Sequence, residues 1–199
     1  MNLYFNPNDP MKTAIVSANG IPQYRISTSK AHTFGSPSTT LIQRPVENEV
    51  VAEILWKRGP GRHPVVRSNV FDGQSQEIEI REFLYKMGSA FSSTRFFLGN
   101  DDREYKWKTV KGTGQVLFDR TSRREIARFT QEVVQDGFFK NQCKWLLHIE
   151  PTDLDIDLIV LTFIVMEKRR RDREAEDTIG AYQDEDDQTC EGGCEVGSG

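Results

Sequence analysis

Residues Asp157–Arg173 read "DLIVLTFIVMEKRRRDR": nine residues from Leu158 to Met166, interrupted only by Thr162, lie between two carboxylates and run into a block of cations. A membrane-spanning helix needs about 20 apolar residues to cross roughly 30 Å of hydrocarbon. The run is less than half that. Upstream, "PTDLD" places Thr152 and Asp155 at capping-box spacing and puts aspartates in the first turns, while Lys168–Arg171 stand where cations complement a helix dipole. Caps and charges therefore predict a helix over about 152–173. The competing reading is a buried strand, because Ile, Val, Thr and Phe all favour sheets. A helix that is apolar on every side must be surrounded, and a run this short calls for protein rather than lipid.

The rest of the chain supplies the surroundings. Apolar and polar residues alternate with period two and are broken by turn chemistry every eight to twelve residues or so, the pattern of an all-β domain. Strands are predicted at Thr13–Ser17 and Gln23–Thr28 around "ANG", at "EVVAEILWK" (Glu49–Lys57), and around Val65–Val70 and Gln76–Ile80. "TRFFL" and "REYKWKTV" flank the turn "GNDD", and further strands are expected at Gln115–Asp119, Glu125–Thr130 and Lys144–Ile149. Loops are expected at Ser29–Ser38 and Arg58–Pro64 from their Ser, Thr, Gly and Pro content. Strands wrapped round one apolar helix, closed into a barrel that removes sheet edges, follow from these elements.

The net charge of -4 hides an asymmetry. Residues 174–199 hold nine of the 30 acidic residues and no Lys or Arg, so 26 basic residues face 21 acidic ones in residues 1–173, a body of about +5. That division predicts a β domain over 1–173 and an acidic, Gly-rich tail over 174–199 with too little apolar surface to order itself. Three cysteines, Cys143, Cys190 and Cys194, do not make a secreted disulfide framework. No signal peptide is visible, and the cytoplasm, with the nucleus as alternative, is the expected compartment.

The ordered set "EVVAEILW", "DDREYKWK" and "DLIVLTFIVMEKRRRDR" resembles a fungal family of small proteins, abundant in mushroom-forming species and classed as a domain of unknown function. The resemblance extends distantly to the tubby and LURP-one folds. It implies a β-barrel enclosing a hydrophobic C-terminal helix and, by analogy, lipid binding.

The chemical candidates are few. His32, His63 and His148 are widely spaced, with no metal-ligand or nucleophile motif beside them. Cys190 and Cys194 lack a His partner for zinc. Tyr105 and Trp107 share the apolar side of an alternating strand and read as core rather than as a base-stacking platform. No catalytic residue, metal or cofactor is assigned, and nucleic acid is not an expected partner. The cations remain: Lys168, Arg169, Arg170 and Arg171 at the helix end, and Lys106 and Lys108, with Lys111, Arg123, Arg124 and Arg128 as neighbours of a second strip. They point to a non-enzymatic domain that binds an anionic lipid or phosphate at a membrane surface. A helix end with favourable dipole charges and a solvated strand face explain the same residues without a ligand. The alternative function is a protein-interaction module using the Ser29–Ser38 and Arg58–Pro64 loops.

Overall fold

The computed structural model describes residues 1–29, 37–46, 48–57, 59, 61–71, 76–89, 92–110 and 114–187. His32, Lys111, Cys190 and Cys194 lie outside them, as do most of the Ser29–Ser38 loop and part of Arg58–Pro64. In chain order the strands are β1 (Asn2–Asn6), β2 (Thr13–Ser17), β3 (Pro22–Ser29), β4 (Ser38–Arg44), β5 (Glu49–Trp56), β6 (Val65–Ser68) and β7 (Gln76–Glu79). A helical turn, α1 (Ile80–Phe83), precedes β8 (Arg95–Leu98), β9 (Glu104–Val110), β10 (Gly114–Asp119), β11 (Glu125–Val133), β12 (Cys143–Ile149) and the long helix α2 (Ile156–Asp187).

The twelve strands form one antiparallel sheet in the order β7-β6-β5-β4-β3-β2-β1-β12-β11-β10-β9-β8. Each neighbouring pair is sequence-adjacent except β1 with β12, whose pairing of Asn2 with His148 joins the two halves of the domain. Every strand contributes at least one apolar side chain to a single core, and α2 sits in that core: from Leu158 to Met166 no residue is more than 3 % exposed. The apolar run is buried on all sides by protein. Each fully buried Leu, Ile, Val, Phe or Met contributes about 1.5–3 kcal/mol of transfer free energy. Phe163 alone meets the rings of Phe5, Trp107 and Phe129, at centroid distances of 5.6, 6.0 and 4.5 Å.

Polar groups at the boundaries fix the helix in register. Asp157 accepts hydrogen bonds from the Tyr24 hydroxyl (2.6 Å) and the Arg44 guanidinium (2.7 Å). Burial, and then the bond to Asp157, push the Tyr24 phenol far above its usual range. Ten residues on, Glu167 is 1 % exposed and accepts from Arg170 and Arg171. Thr162, the polar residue inside the run, donates to the Leu158 carbonyl (2.8 Å) and accepts from the Trp107 indole N–H (2.9 Å). The turn between β8 and β9 also holds the helix start, since the Asn100 side chain accepts from the Asp155 N–H at 2.8 Å. Gly99 gives that turn its room: a Cβ there would lie 2.6–2.8 Å from the side chains of Asp101, Tyr105 and Leu154, which would have to shift.

Three expectations need correction. The sheet does not close into a barrel, because β7 and β8 are not hydrogen-bonded to each other. The chain itself crosses the seam: α1 follows β7, Tyr85 and Phe96 exchange backbone bonds of 2.9 Å, and Phe83 packs between Phe71 and Phe97. The edges are thus covered by a helical turn and aromatic rings instead of a ladder. The helix also differs at both ends from 152–173. It is capped by Asp155, whose carboxylate accepts the Asp157 N–H (2.8 Å), while Thr152 closes a separate turn on Leu154. At the far end the helical backbone passes residue 173 and continues to Asp187, with Arg170 paired to Glu174 one turn on. Finally, β1 and β4 are strands that the sequence pattern did not announce.

Thr162→Val removes one oxygen from the core and keeps its shape. It leaves the Trp107 indole N–H without an acceptor, so urea unfolding should show a loss of about 1–3 kcal/mol, even though the new side chain is more apolar. An unchanged or raised midpoint would contradict the role given to this bond.

Candidate functional site

An α-helix turns about 100° per residue, so four consecutive side chains reach all its sides. Lys168–Arg171 do this where α2 leaves the sheet. Lys168 stands 5.5 Å from the centre of the Trp56 ring at the end of β5 and pairs with Asp172. Arg170 makes a two-pronged contact with buried Glu167 (2.7 and 2.8 Å) and also pairs with Glu174. Arg171 bonds Glu167 (3.0 Å) and reaches Asp9 in the β1–β2 turn (2.7 Å). Three of the four cations are therefore already engaged: Lys168 and Arg171 reach the sheet side of the helix exit, and Arg170 pairs within the helix.

Arg169 is different. It has no ion-pair partner among the described residues, and it lines a concavity of about 280 Å³ together with Arg95 and Arg173. Ser93, Met166, Asp172 and Glu176 complete the lining, and Asp172 is the partner of Lys168. Arg95 is positioned by donating to the carbonyls of Ser92 (3.1 Å) and Thr94 (2.9 Å). Burial, and then the neighbouring Arg95 and Arg173 charges, lower the Arg169 guanidinium to about 10. Burial and Arg173 pull Arg95 down as well. Guanidinium groups crowded in this way favour a bound anion, and their fork of donors matches the oxygens of a phosphate or carboxylate.

The other expected site residues lie elsewhere. Lys106 and Lys108 alternate with buried Tyr105 and Trp107 on β9 and so occupy its outer face. Arg128 pairs with Glu125, Arg124 donates to the Pro151 carbonyl, and Arg123 sits in a turn at a φ of 58°. The second cationic strip is thus not part of the concavity. His63 contacts Arg81, and His148 lies between Asn2 and Glu150. Among the described residues no group of three or more His, Cys, Asp or Glu is placed to hold a metal ion. No helix of the described residues is long and apolar enough to cross a membrane.

Arg95 was not among the expected site residues, and Arg173 closes the basic block that begins at Lys168 without being singled out there. Arg95 had a readable signal: in "TRFFL" it stands two residues before fully buried Phe97, so it is a cation on the inward face of a strand. Its cross-strand partner is the inward-facing Trp107.

A comparison with protein families matches residues 8–172 to the family of unknown function DUF6593. The chain belongs to that family. The DUF6593 match runs from the turn that carries Asp9 to the helix exit, and includes both Arg95 and Arg169. Comparisons of this DUF6593 chain with curated proteins and with solved structures found no match.

The geometry sets the sign of a mutational effect at Arg169. A guanidinium whose folded-state value is depressed costs stability while it is charged, and the cost is removed above that value or by a bound anion. Arg169→Met keeps the packing and deletes the charge. In an anion-poor buffer at neutral pH it should raise Tm, by about 2–4 °C for each 1 kcal/mol relieved. Phosphate should stabilise the unsubstituted domain more than the variant. A fall in Tm with an unchanged phosphate response, followed by differential scanning fluorimetry, would refute the assignment.

Proposed function

We propose that this DUF6593 domain is a non-enzymatic binding domain that takes a phosphate group of an anionic lipid at the mouth where α2 leaves the sheet, on the cytoplasmic side of a membrane. The observation that carries the reading is the Arg95, Arg169 and Arg173 concavity, in which Arg169 meets like charge and has no ion-pair partner among the described residues. The filled interior supports it. A sheet whose core is occupied by its own helix leaves its rim, and not its centre, for a ligand.

Charge supports it further, since the body of about +5 is attracted to the anionic lipids of a cytoplasmic leaflet. Within the block first singled out, Arg169 is assigned to the ligand. Lys168, Arg170 and Arg171 are assigned to positioning, because each already has a carboxylate partner.

Flotation with phosphatidylcholine vesicles, with and without a phosphoinositide, tests the reading. Recovery with phosphoinositide vesicles should fall as salt rises. It should be lost in Arg95→Gln/Arg169→Gln/Arg173→Gln and retained in Lys106→Gln/Lys108→Gln. Equal recovery of the triple variant, or no recovery of the unsubstituted domain at low salt, would sink the proposal.

A further inference from the structure

A second cleft, of about 480 Å³, opens at the same mouth between α2 and the wall made by β9–β12. Arg170 borders this cleft, whereas Arg169, one residue earlier on the helix, borders the arginine concavity. At its inner end lies Gln115, which pairs across β10 with Thr109 on one side and Phe129 on the other. Gln115 is 0 % exposed. Its Oε1 accepts from the Thr109 hydroxyl at 3.3 Å, and its Nε2 has no partner among the described residues. A buried amide group left unpaired costs about 1–3 kcal/mol, and such groups are rare enough in native proteins to require an explanation.

The cleft has a flat apolar wall beside this amide. Phe129 and Trp145 stack at 4.9 Å with an interplanar angle of 14°, and Trp145 is only partly buried. Charge is absent from the requirement: Arg170 and Glu174 both line the lip, and they are paired to each other. The Thr109 hydroxyl can donate to a carboxamide oxygen or accept from a carboxamide nitrogen, so whichever way Gln115 is turned one atom of its amide edge stays unmatched. A guest amide, with a donor and an acceptor side by side, complements both arrangements.

We infer that this cleft binds a neutral, planar molecule carrying an amide edge, such as a ring carboxamide or lactam, with its ring against Trp145 and its amide on Gln115. The inference rests on the buried amide and the aromatic wall, and is independent of the anion site.

Benzamide is a suitable probe, with toluene and benzoate as controls that lack the neutral amide. Titrated at millimolar concentration into the ¹⁵N-labelled full chain, benzamide should shift the Gln115 side-chain NH₂ and the Trp145 indole N–H resonances. Toluene and benzoate should act at least several-fold more weakly. Gln115→Leu should lose the preference for benzamide over toluene. Should that core variant fail to fold, Gln131→Trp, which fills the cleft from an exposed position on its lip, should abolish the Trp145 shift. The inference is overturned by no shift with benzamide, by toluene matching benzamide, or by an undiminished shift in Gln131→Trp. The arginine variants above should leave this titration unchanged, so the two sites succeed or fail separately.

Discussion

The enclosure of Leu158–Met166 is the constraint from which the rest of the structure follows. Nine residues with no polar face cannot lie on a surface, and twelve short strands with one apolar side have no core of their own until something fills the space between them. Helix and sheet each solve the other's problem. Asp157 at one end and Arg171 at the other then set the register along the axis, because Tyr24 and Arg44 of the sheet bond Asp157, and Arg171, held by buried Glu167 on the same helix, reaches Asp9, contacts that only the correct axial position brings near. A displacement of one residue would rotate the helix by about 100° and strand the Asp157 charge away from Arg44.

This constraint was legible in the sequence because it needs only local information. An apolar run bounded by charges and preceded by aspartates identifies a buried helix, and clean alternation in "EVVAEILW" and "EYKWKTV" identifies inward-facing strands. The less legible features are those in which neighbours decide. "STTLIQR" in β4 is rich in Thr and follows a sequence containing Ser, Gly and Pro, yet Thr40 is fully buried because it accepts the Trp56 indole N–H at 2.8 Å. In β1, "NLYFN" is flanked by turn-forming asparagines and prolines, and becomes the centre of the sheet only through its pairing with β2 and β12. The open seam has the same character, since period-two patterning says nothing about whether the last ladder forms.

The candidate site divides along that line too. A cluster of basic residues is visible in the chain, but which of them are already neutralised is a property of three dimensions. Asp9 and Arg171 are far apart in sequence and 2.7 Å apart in space. Of the cations that drew notice, Arg169 faces other arginines, and Arg95 joins it from a strand more than seventy residues upstream. The mouth is thus built from two kinds of arginine: Arg170 and Arg171, already paired with carboxylates, and Arg95, Arg169 and Arg173, which have no ion-pair partner among the described residues.

The pairing of β1 with β12 also has a consequence for biosynthesis. Asn2 meets His148, and the helix that fills the core follows later still, so no part of the sheet can bury its inner face while the ribosome is still working through the middle of the chain. At 5–20 residues per second the first strand waits roughly 7–30 s for its central partner. During that interval a growing ribbon of strands exposes an apolar face and two unpaired edges, the arrangement most open to pairing with another chain.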